Sequence, residues 1–280
     1  MLNKKIIVCS TIKNEEKNLK KFFSILEDIT ENFKDYYLIF VLSDCNDNSK
    51  RLCKNYLKNR NGYILTKNFK KKFNRIKRLE ICRNEYLNYI KNEKKIRRFN
   101  YLLVMDADNV NNKITYNRIK NSLKKKEWNA LFANQSIFYY DIFALRIKGL
   151  IEYNFVEKIK NEFEIYKSQN LILKKIFKKY LVRFFFLNKI KKNRYIEVIS
   201  AFGGLAIYRL DKILNFKYNS QDGKVCEHVG FNKTLHKKYG KLYIDKDLIN
   251  GYGINIHTIN GFLCFYFEYF AKRFFKKINK

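Results

Sequence analysis

The sequence predicts an α/β fold, with one domain built on a doubly wound, mostly parallel, Rossmann-like sheet and a C-terminal amphipathic helix. Short apolar runs alternate with longer amphipathic stretches through the first half of the chain, and this alternation is typical of strands and helices in such layers. The apolar runs are continuous, which suits parallel strands that are covered on both faces. A length of 280 residues is ordinary for one large domain with a full core.

The first half of the chain supplies four predicted strands and three predicted helices. The strands are Lys5–Cys9, Tyr37–Leu42, Gly62–Leu65 and Tyr101–Met105, and the helices are Glu15–Phe33, Ser49–Lys58 and Arg75–Lys94. In open α/β sheets, ligands bind at the carboxyl ends of the strands. Polar residues follow three of these strands, at 10–11, 43–44 and 106–108. The sequence therefore predicts a binding site at that edge of the sheet.

The second half of the chain is less regular. It holds predicted strands at Trp128–Gln135, Leu205–Tyr208 and Leu242–Ile244, a helix near Val229–Tyr239, and a long basic segment, Ile151–Lys192, that is compatible with a helix. We see no internal repeat and no linker rich in Pro, Gly or Ser. We therefore predict one domain over residues 1–260.

The charge of the chain is extreme, with a formal net charge of +33. A basic surface can hold nucleic acid, an anionic membrane or phosphate-rich substrates. However, the chain has no proline and is crowded with Lys, Asn, Ile, Phe and Tyr, as expected from a bias towards AT-rich codons, so part of the lysine excess needs no partner. The charge is also spread along the whole chain without a recognisable nucleic-acid module, and we expect no nucleic-acid partner.

The lengths of the apolar runs indicate where in the cell we expect the protein. No apolar run approaches the roughly 20 residues that span a bilayer, and no signal peptide is evident, so we expect a cytoplasmic protein. The tail, residues 261–280, interleaves aromatic residues with lysine and arginine. Such a helix either lies in the interface of an anionic membrane or docks on the domain. The first alternative would make the protein peripheral on the inner face of the membrane.

The strongest chemical signal is the pair Asp106 and Asp108, which directly follows the apolar run Tyr101–Met105. Two carboxylates spaced by one residue at a strand end can reach a hard divalent cation, and Mg²⁺ or Mn²⁺ commonly bridges carboxylates to substrate phosphates. A solvated acidic turn would show the same pattern. The segments around the motif are therefore needed to decide between a metal site and a solvated acidic turn.

In this context the chain resembles the nucleotide-sugar-dependent glycosyltransferases with the A-type fold, in particular a bacterial branch of the family-2-like group. The resemblance runs from Ile6 to about His257. It implies a UDP- or GDP-type sugar donor and a Mn²⁺ or Mg²⁺ cofactor. It places a donor-binding loop after the first strand, a carboxylate on the base or ribose after the second, and an arginine near the donor phosphates. The matching donor-site residues are Thr11, Asn14, Glu15, Asp44, Arg83 and Asp106.

The resemblance implies a nucleotide-binding half at 1–110 and an acceptor half at 111–260, and later segments match the acceptor half of the family. The stretch 139–146 places Asp141 near the active site, and 202–209 places Gly203 and Gly204 beside the acceptor. The late His257 stands where a histidine completes the metal shell with Asp106 and Asp108 in related folds. The resemblance thus implies metal ligands at Asp106, Asp108 and His257.

One departure from the family concerns the general base. Inverting members usually carry a Glu-Asp pair at the start of a helix, whereas this chain has Glu227 followed by His228. Either residue is a candidate to take the proton from the acceptor hydroxyl; we favour Glu227, with His228 orienting it or contacting the acceptor. Asp141 is the third candidate in the catalytic group, where it would hold sugar hydroxyls.

The predicted function is therefore transfer of a sugar to a glycan, lipid-linked or other hydroxyl acceptor, metal-dependent and with inversion, in cell-envelope or surface polysaccharide synthesis. A sugar nucleotidyltransferase would also use a parallel sheet and carboxylate-bound Mg²⁺. It would be expected to show a glycine-rich phosphate loop near the first strand, and Ser10–Glu16 contains no glycine. A non-enzymatic nucleic-acid-binding protein is the alternative from a different class.

Overall fold

The computed structural model describes residues 2–69, 72–136, 139, 141–149, 151–153 and 193–252. Their strands form one eight-stranded sheet with the order β3-β2-β1-β4-β7-β5-β8-β6. The strands are β1 (Leu2–Ile12), β2 (Phe33–Ser43), β3 (Gly62–Lys67), β4 (Tyr101–Met105), β5 (Ala130–Gln135), β6 (Tyr195–Glu197), β7 (Leu205–Arg209) and β8 (Leu242–Gly251). The helices are α1 (Glu16–Thr30), α2 (Ser49–Leu57), α3 (Arg75–Asn92), α4 (Tyr116–Leu123), α5 (Leu210–Ile213) and α6 (Glu227–Tyr239), with a single 3-10 turn at Asn109–Asn111.

Most neighbouring strands are parallel, as predicted. Strands β3, β2, β1 and β4 pair in parallel, and β5 pairs in parallel with β8. Strand β7 pairs antiparallel with both β4 and β5, and β6 pairs antiparallel with β8. The predicted mixed, mostly parallel α/β sheet is therefore confirmed, with β7 reversed at its centre.

The central strands are apolar on both faces because both faces are covered. In β1, Ile6 and Val8 belong to one core cluster, whereas Ile7 and Cys9 belong to the cluster on the opposite face. All four side chains are fully buried. Burying apolar surface on both sides is the main stabilising contribution to such a sheet, and it fixes the strand ends that carry the polar motifs.

Several element boundaries differ from the sequence predictions. Strand β8 continues to Gly251 rather than ending at Ile244, because its polar second part pairs with β5 beyond a register shift. Helix α4 and the short β6 were not predicted. The basic segment 154–192 and the tail 261–280 lie outside the described residues. Among the described residues, no helix has both the length and the apolar character needed to cross a membrane.

Candidate active site

A cavity of about 270 Å³ lies at the carboxyl ends of β1, β2 and β4. This is the edge where the sequence places its polar motifs. Its walls come from the loop after β1, the first half of α3, the loop after β4, the segment 141–143, Phe202 and the start of α6. The residues that line it are Thr11, Ile12, Lys13, Glu15, Ser43, Arg75, Ile76, Arg78, Leu79, Cys82, Arg83, Asp106, Ala107, Asp108, Asp141, Phe143, Phe202, Cys226, Glu227 and His228.

Asp106 and Asp108 project from the turn after β4, and this turn is fixed by its neighbours. The backbone N–H of Asp106 donates to the carbonyl of Gly204 at 3.0 Å, and the Asn111 side chain donates to the carbonyls of Asp106 and Gly204. The Asp108 carboxylate accepts a hydrogen bond from the backbone N–H of Val110 at 3.2 Å, which caps the 3-10 turn. Both carboxylates are thereby held at the cavity wall.

The electrostatics of this pair suit a bound cation. Burial raises the pKa of Asp106 to about 7; Arg83 lowers it and Asp108 raises it further. Burial also raises the pKa of Asp108. Carboxylates whose charge is disfavoured by burial and by each other are stabilised by a nearby cation, and their oxygen atoms are the ligands that Mg²⁺ and Mn²⁺ accept. The two residues therefore fit a divalent metal.

A complete metal shell is not assembled by the described part of the chain. No group of three or more His, Cys, Asp and Glu side chains is placed there to hold one ion. The predicted third ligand, His257, lies outside the described residues. Its role as a ligand stays a prediction.

Arg83 joins the Asp-Ala-Asp motif to the start of α6. Its Nε donates to Glu227 Oε1 at 2.9 Å, and its Nη2 donates to Asp106 Oδ1 at 3.3 Å. The guanidinium is packed between the rings of Phe202 and Tyr218, at 5.1 and 5.9 Å from their centroids. Its Nη1 is buried without a hydrogen-bond partner. A buried arginine between two carboxylates fixes both of them in position.

Glu227 and His228 begin α6 and are both buried in the cavity wall, at 3 % and 2 % exposure. The His228 ring stacks on Phe202, with centroids 3.8 Å apart. Its Nε2 lies 3.8 Å from Glu227 Oε1, which is too long for a hydrogen bond. Burial lowers the pKa of His228 well below its usual value, and Arg83 lowers it further. The imidazole is therefore neutral and a weak base.

Asp141 lines the cavity on the same side. Its carboxylate accepts a hydrogen bond from the backbone N–H of Ala144 at 3.1 Å. Burial raises the pKa of Asp141 to about 6, and the nearby Asp106 and Glu227 contribute to the increase. The structure thus brings all three predicted catalytic residues into one cavity with the Asp-Ala-Asp motif.

The predicted donor-site residues divide into two groups. Thr11, Glu15, Arg83 and Asp106 line the cavity. Asn14 and Asp44 instead shape the loops behind it: both have positive φ, of 55° and 47°. Asn14 Oδ1 accepts from the N–H of Asn46 at 2.7 Å, and Asp44 Oδ1 accepts from the N–H of Phe69 at 2.9 Å.

Gly203 and Gly204 do not line the cavity; they lie at close packing contacts next to it. A Cβ atom on Gly203 would lie 2.9 Å from the carbonyl oxygen of Ala133, and one on Gly204 would lie 2.6 Å from Val110 Cγ1. Both glycines have positive φ, at 67° and 85°. Gly203 therefore allows the chain to approach β5, and Gly204 allows the start of β7 to approach the 3-10 turn that follows Asp108. Their predicted contact with the acceptor stays a prediction.

Sequence reasoning missed several lining residues, above all Lys13, Arg75 and Arg78. The two arginines lie one turn apart at the start of α3, which Asn74 caps through a hydrogen bond from the N–H of Lys77. Arg78 Nη1 lies 3.6 Å from Asp44 Oδ2. Arg75 and Arg78 are three residues apart in one predicted helix, and this spacing was a usable signal, because residues three and four apart share a helix face.

Comparison with solved structures identifies the fold. A crystal structure of residues 1–349 of TarS from S. aureus aligns with a TM-score of 0.50 and 12 % identity, covering 88 % of this chain and 59 % of that one. The mannosyltransferase PcManGT from Pyrobaculum calidifontis, in complex with GDP-Man and Mn²⁺, aligns with a TM-score of 0.53 and 9 % identity, covering 91 % and 59 %. This chain has the A-type glycosyltransferase fold.

The evidence for the A-type fold is structural. No protein-family model and no curated protein matches the sequence. The chain spans about three fifths of the length of each solved structure above. In the A-type fold of this chain, the cavity with Asp106, Asp108 and Glu227 lies where the sequence predicted a ligand site.

Proposed function

We propose that the protein is a glycosyltransferase that moves a sugar from a nucleoside-diphosphate donor to a hydroxyl acceptor. The observation that carries the proposal is the convergence of Asp106, Asp108, Arg83 and Glu227 on one cavity of an A-type fold. The similarly folded mannosyltransferase was solved with GDP-Man and Mn²⁺, which supports a nucleotide-sugar donor and a divalent cation here.

In this proposal the donor lies against the first strands. Lys13, Arg75 and Arg78 line the cavity there and supply positive charge for the diphosphate. Arg83, which bonds to both Glu227 and Asp106 in the cavity wall, adds a further positive charge. Thr11, Asn14, Glu15 and Asp44 form or support the loops around the nucleoside, which we propose is of the UDP or GDP type.

The metal-binding residues of the proposed reaction are Asp106 and Asp108, with His257 as the predicted third ligand. A bound Mn²⁺ or Mg²⁺ would neutralise the charge that develops on the leaving diphosphate. Arg83 holds Asp106 at 3.3 Å and so orients its carboxylate. Orientation of charged groups before the reaction is the main source of electrostatic stabilisation of a transition state.

Glu227 is the proposed general base, and inversion at the anomeric carbon is the proposed outcome. Its Oε1 accepts from Arg83, and its Oε2 has Cys226 Sγ at 3.8 Å as a weak donor. The carboxylate therefore keeps acceptor capacity for the proton of the attacking hydroxyl. Asp141 is placed to accept hydrogen bonds from other hydroxyls of a glycan or lipid-linked acceptor.

The proposed setting is cell-envelope or surface polysaccharide synthesis in the cytoplasm. The basic, aromatic tail at 261–280 would hold the protein on an anionic membrane surface. This part of the proposal rests on the sequence of the tail, which lies outside the described residues. Sedimentation with vesicles that contain phosphatidylglycerol tests it, and a protein that ends at residue 260 is the control.

The central experiment is a thermal-shift screen against UDP, GDP, CDP and their sugar conjugates, with Mn²⁺ or with EDTA. A ligand that binds only the folded state raises the melting temperature, so we expect one nucleotide to stabilise the protein only when metal is present. Release of that nucleoside diphosphate from its sugar conjugate then reports turnover. If no nucleotide changes the melting temperature at millimolar concentration, the proposal is wrong.

A further inference from the structure

His228 is one of the residues that line the cavity, and both of its ring nitrogens are buried without a hydrogen-bond partner. The residue is 2 % exposed. Buried polar side-chain atoms nearly always have a partner, from the protein or from a bound molecule. An imidazole that is buried, lines a cavity and has no partner therefore indicates where a ligand places a polar group.

The orientation of this imidazole is fixed by two aromatic rings. It lies on Phe202 with an interplanar angle of 18°, and the ring of Tyr218 meets it edge-on at 5.4 Å. Since burial and Arg83 lower the pKa of His228 well below its usual value, the ring is neutral. A neutral imidazole offers one N–H donor and one lone pair, which matches a group that both donates and accepts.

The distance to Glu227 narrows the class of ligand. His228 Nε2 and Glu227 Oε1 are 3.8 Å apart, so one oxygen atom at a hydrogen-bond distance of roughly 2.8 Å can contact both. A hydroxyl oxygen in this position accepts from Nε2–H and donates its proton towards Glu227. A fully ionised phosphate or carboxylate has no proton to donate and would be repelled by the Glu227 carboxylate.

The charges around this position also disfavour an anion. Asp106 and Asp141 line the same cavity as Glu227. The nearest cation, Arg83, is bonded to both Glu227 and Asp106. Lys13, Arg75 and Arg78 also line the cavity, where we propose that they face the donor diphosphate. An anionic acceptor group beside His228 would instead lie against the Glu227 carboxylate, whose partner cation is already engaged by two carboxylates.

We propose that His228 is the residue that selects the acceptor: it binds the attacking hydroxyl of an uncharged sugar or polyol and excludes acceptors that carry a phosphate beside that hydroxyl. The inference rests on the proposed glycosyltransferase function. In the transfer step, the hydroxyl oxygen forms a bond to the anomeric carbon of the donor and its proton passes to Glu227. The bond from the anomeric carbon to the phosphate oxygen breaks, and its electron pair leaves with the nucleoside diphosphate.

The proposal is tested by acceptor binding in the wild type, H228F and H228Q. Phenylalanine keeps an aromatic ring on Phe202 and removes both nitrogens, whereas the glutamine amide restores a donor and an acceptor near the position of Nε2. The probes are the methyl glycosides of glucose, galactose, mannose and N-acetylglucosamine, and their 6-phosphates. Binding is measured by saturation-transfer NMR with Mg²⁺ and the nucleoside diphosphate that stabilises the protein.

We expect at least one neutral glycoside to bind the wild type at least tenfold more tightly than its 6-phosphate. H228F should lose at least tenfold in affinity for that glycoside, and H228Q should stay within about threefold of the wild type. Preference for the 6-phosphates, failure of every neutral glycoside to bind, or unchanged binding in H228F would overturn the proposal.

The failure of this inference is distinguishable from failure of the proposed function. Metal-dependent stabilisation by the nucleotide is measured on the same three proteins and should be equal in all of them. If the nucleotide still binds but no neutral glycoside does, the proposed role of His228 is wrong, whereas the proposed donor site is retained. Equal melting temperatures without ligand show that H228F is folded.

Discussion

Arg83 on α3 and Glu227 at the first position of α6 form a buried ion pair, with Nε and Oε1 2.9 Å apart. The side chains are 3 % and 4 % exposed. The same guanidinium reaches Asp106, so one residue connects the proposed metal site to the proposed general base.

Removing the Arg83 charge should destabilise the fold strongly. R83M leaves Glu227 and Asp106 buried without their cation, and breaking a buried pair in this way costs about 3–5 kcal/mol. Urea unfolding measures the loss. The matched control is K241M, which breaks the exposed Lys241–Glu127 pair at 3.2 Å and should cost less than about 1 kcal/mol. Equal effects of the two substitutions would contradict the structural role of Arg83.

Substitution of Asp108 should remove the response to metal. D108N keeps an oxygen that can accept from the N–H of Val110 but removes a negative charge, so we expect the folded state to persist and metal-dependent nucleotide stabilisation to disappear. D211N, at an exposed carboxylate outside the cavity, is the control. A D108N protein that retains the full metal-dependent thermal shift would exclude Asp108 as a ligand.

Substitution of Glu227 should separate binding from turnover. We expect E227Q to lower kcat by a factor of roughly 10²–10⁴, the range typical of a lost general base, with little change in nucleotide affinity. The amide can still accept from Arg83. A parallel loss of nucleotide affinity and kcat would instead indicate that Glu227 only maintains the architecture of the site.

The close approach of β7 to the 3-10 turn after Asp108 predicts a large loss of stability for G204A. The added Cβ would lie 2.6 Å from Val110 Cγ1, and the residue has a φ of 85°. At Gly149, with a φ of 71°, a Cβ would have no atom within 4 Å. We expect G149A to cost about 1–2 kcal/mol from the backbone alone, and G204A to cost more and also weaken metal-dependent nucleotide binding. Urea unfolding and the thermal-shift assay measure the two effects.

The Asp141 carboxyl predicts a pH-dependent contribution to stability. Burial raises its pKa to about 6, whereas an unfolded chain has an Asp pKa of about 3.9. The folded state therefore holds this proton more tightly, and the resulting stabilisation is present at low pH and lost as the pH rises through about 6.

D141N removes this titration and can keep the acceptor for the N–H of Ala144. The free energy of unfolding of D141N, relative to the wild type, should therefore increase by about 1–3 kcal/mol between pH 4 and pH 7.5. Urea unfolding at both pH values measures the difference. A constant difference across this range would mean that Asp141 is not buried as described.

The sequence was sufficient for the fold class and for the strands whose residues are uniformly apolar. Tyr101–Met105 is predicted residue for residue because both faces of β4 are buried. Strand β8 is predicted too short, since its second part carries charged residues. One of them, Asp245, is fully buried through a hydrogen bond from Ser122 and an ion pair with Arg194. Periodicity in sequence does not reveal such distant partners.

The candidate site was also predictable only where its residues belong to local sequence motifs. Asp106, Asp108 and Glu227 are recognisable because each belongs to a local motif. The bond from Arg83 to Glu227 joins residues 144 positions apart, and the neutral state of His228 depends on the rings and the guanidinium packed around it. Both follow from tertiary packing, which no local pattern encodes.

The reversed position of β7 has a consequence for the order of folding. Strands β1 to β4 are complete by residue 105, whereas β7, which joins β4 to β5, begins at residue 205. Pairings between segments so far apart form slowly because a long loop must close first. During synthesis the amino-terminal strands are therefore expected to pair while the cavity still lacks the wall that carries Phe202, Glu227 and His228. Binding competence would then arise only when the carboxyl-terminal half has been made.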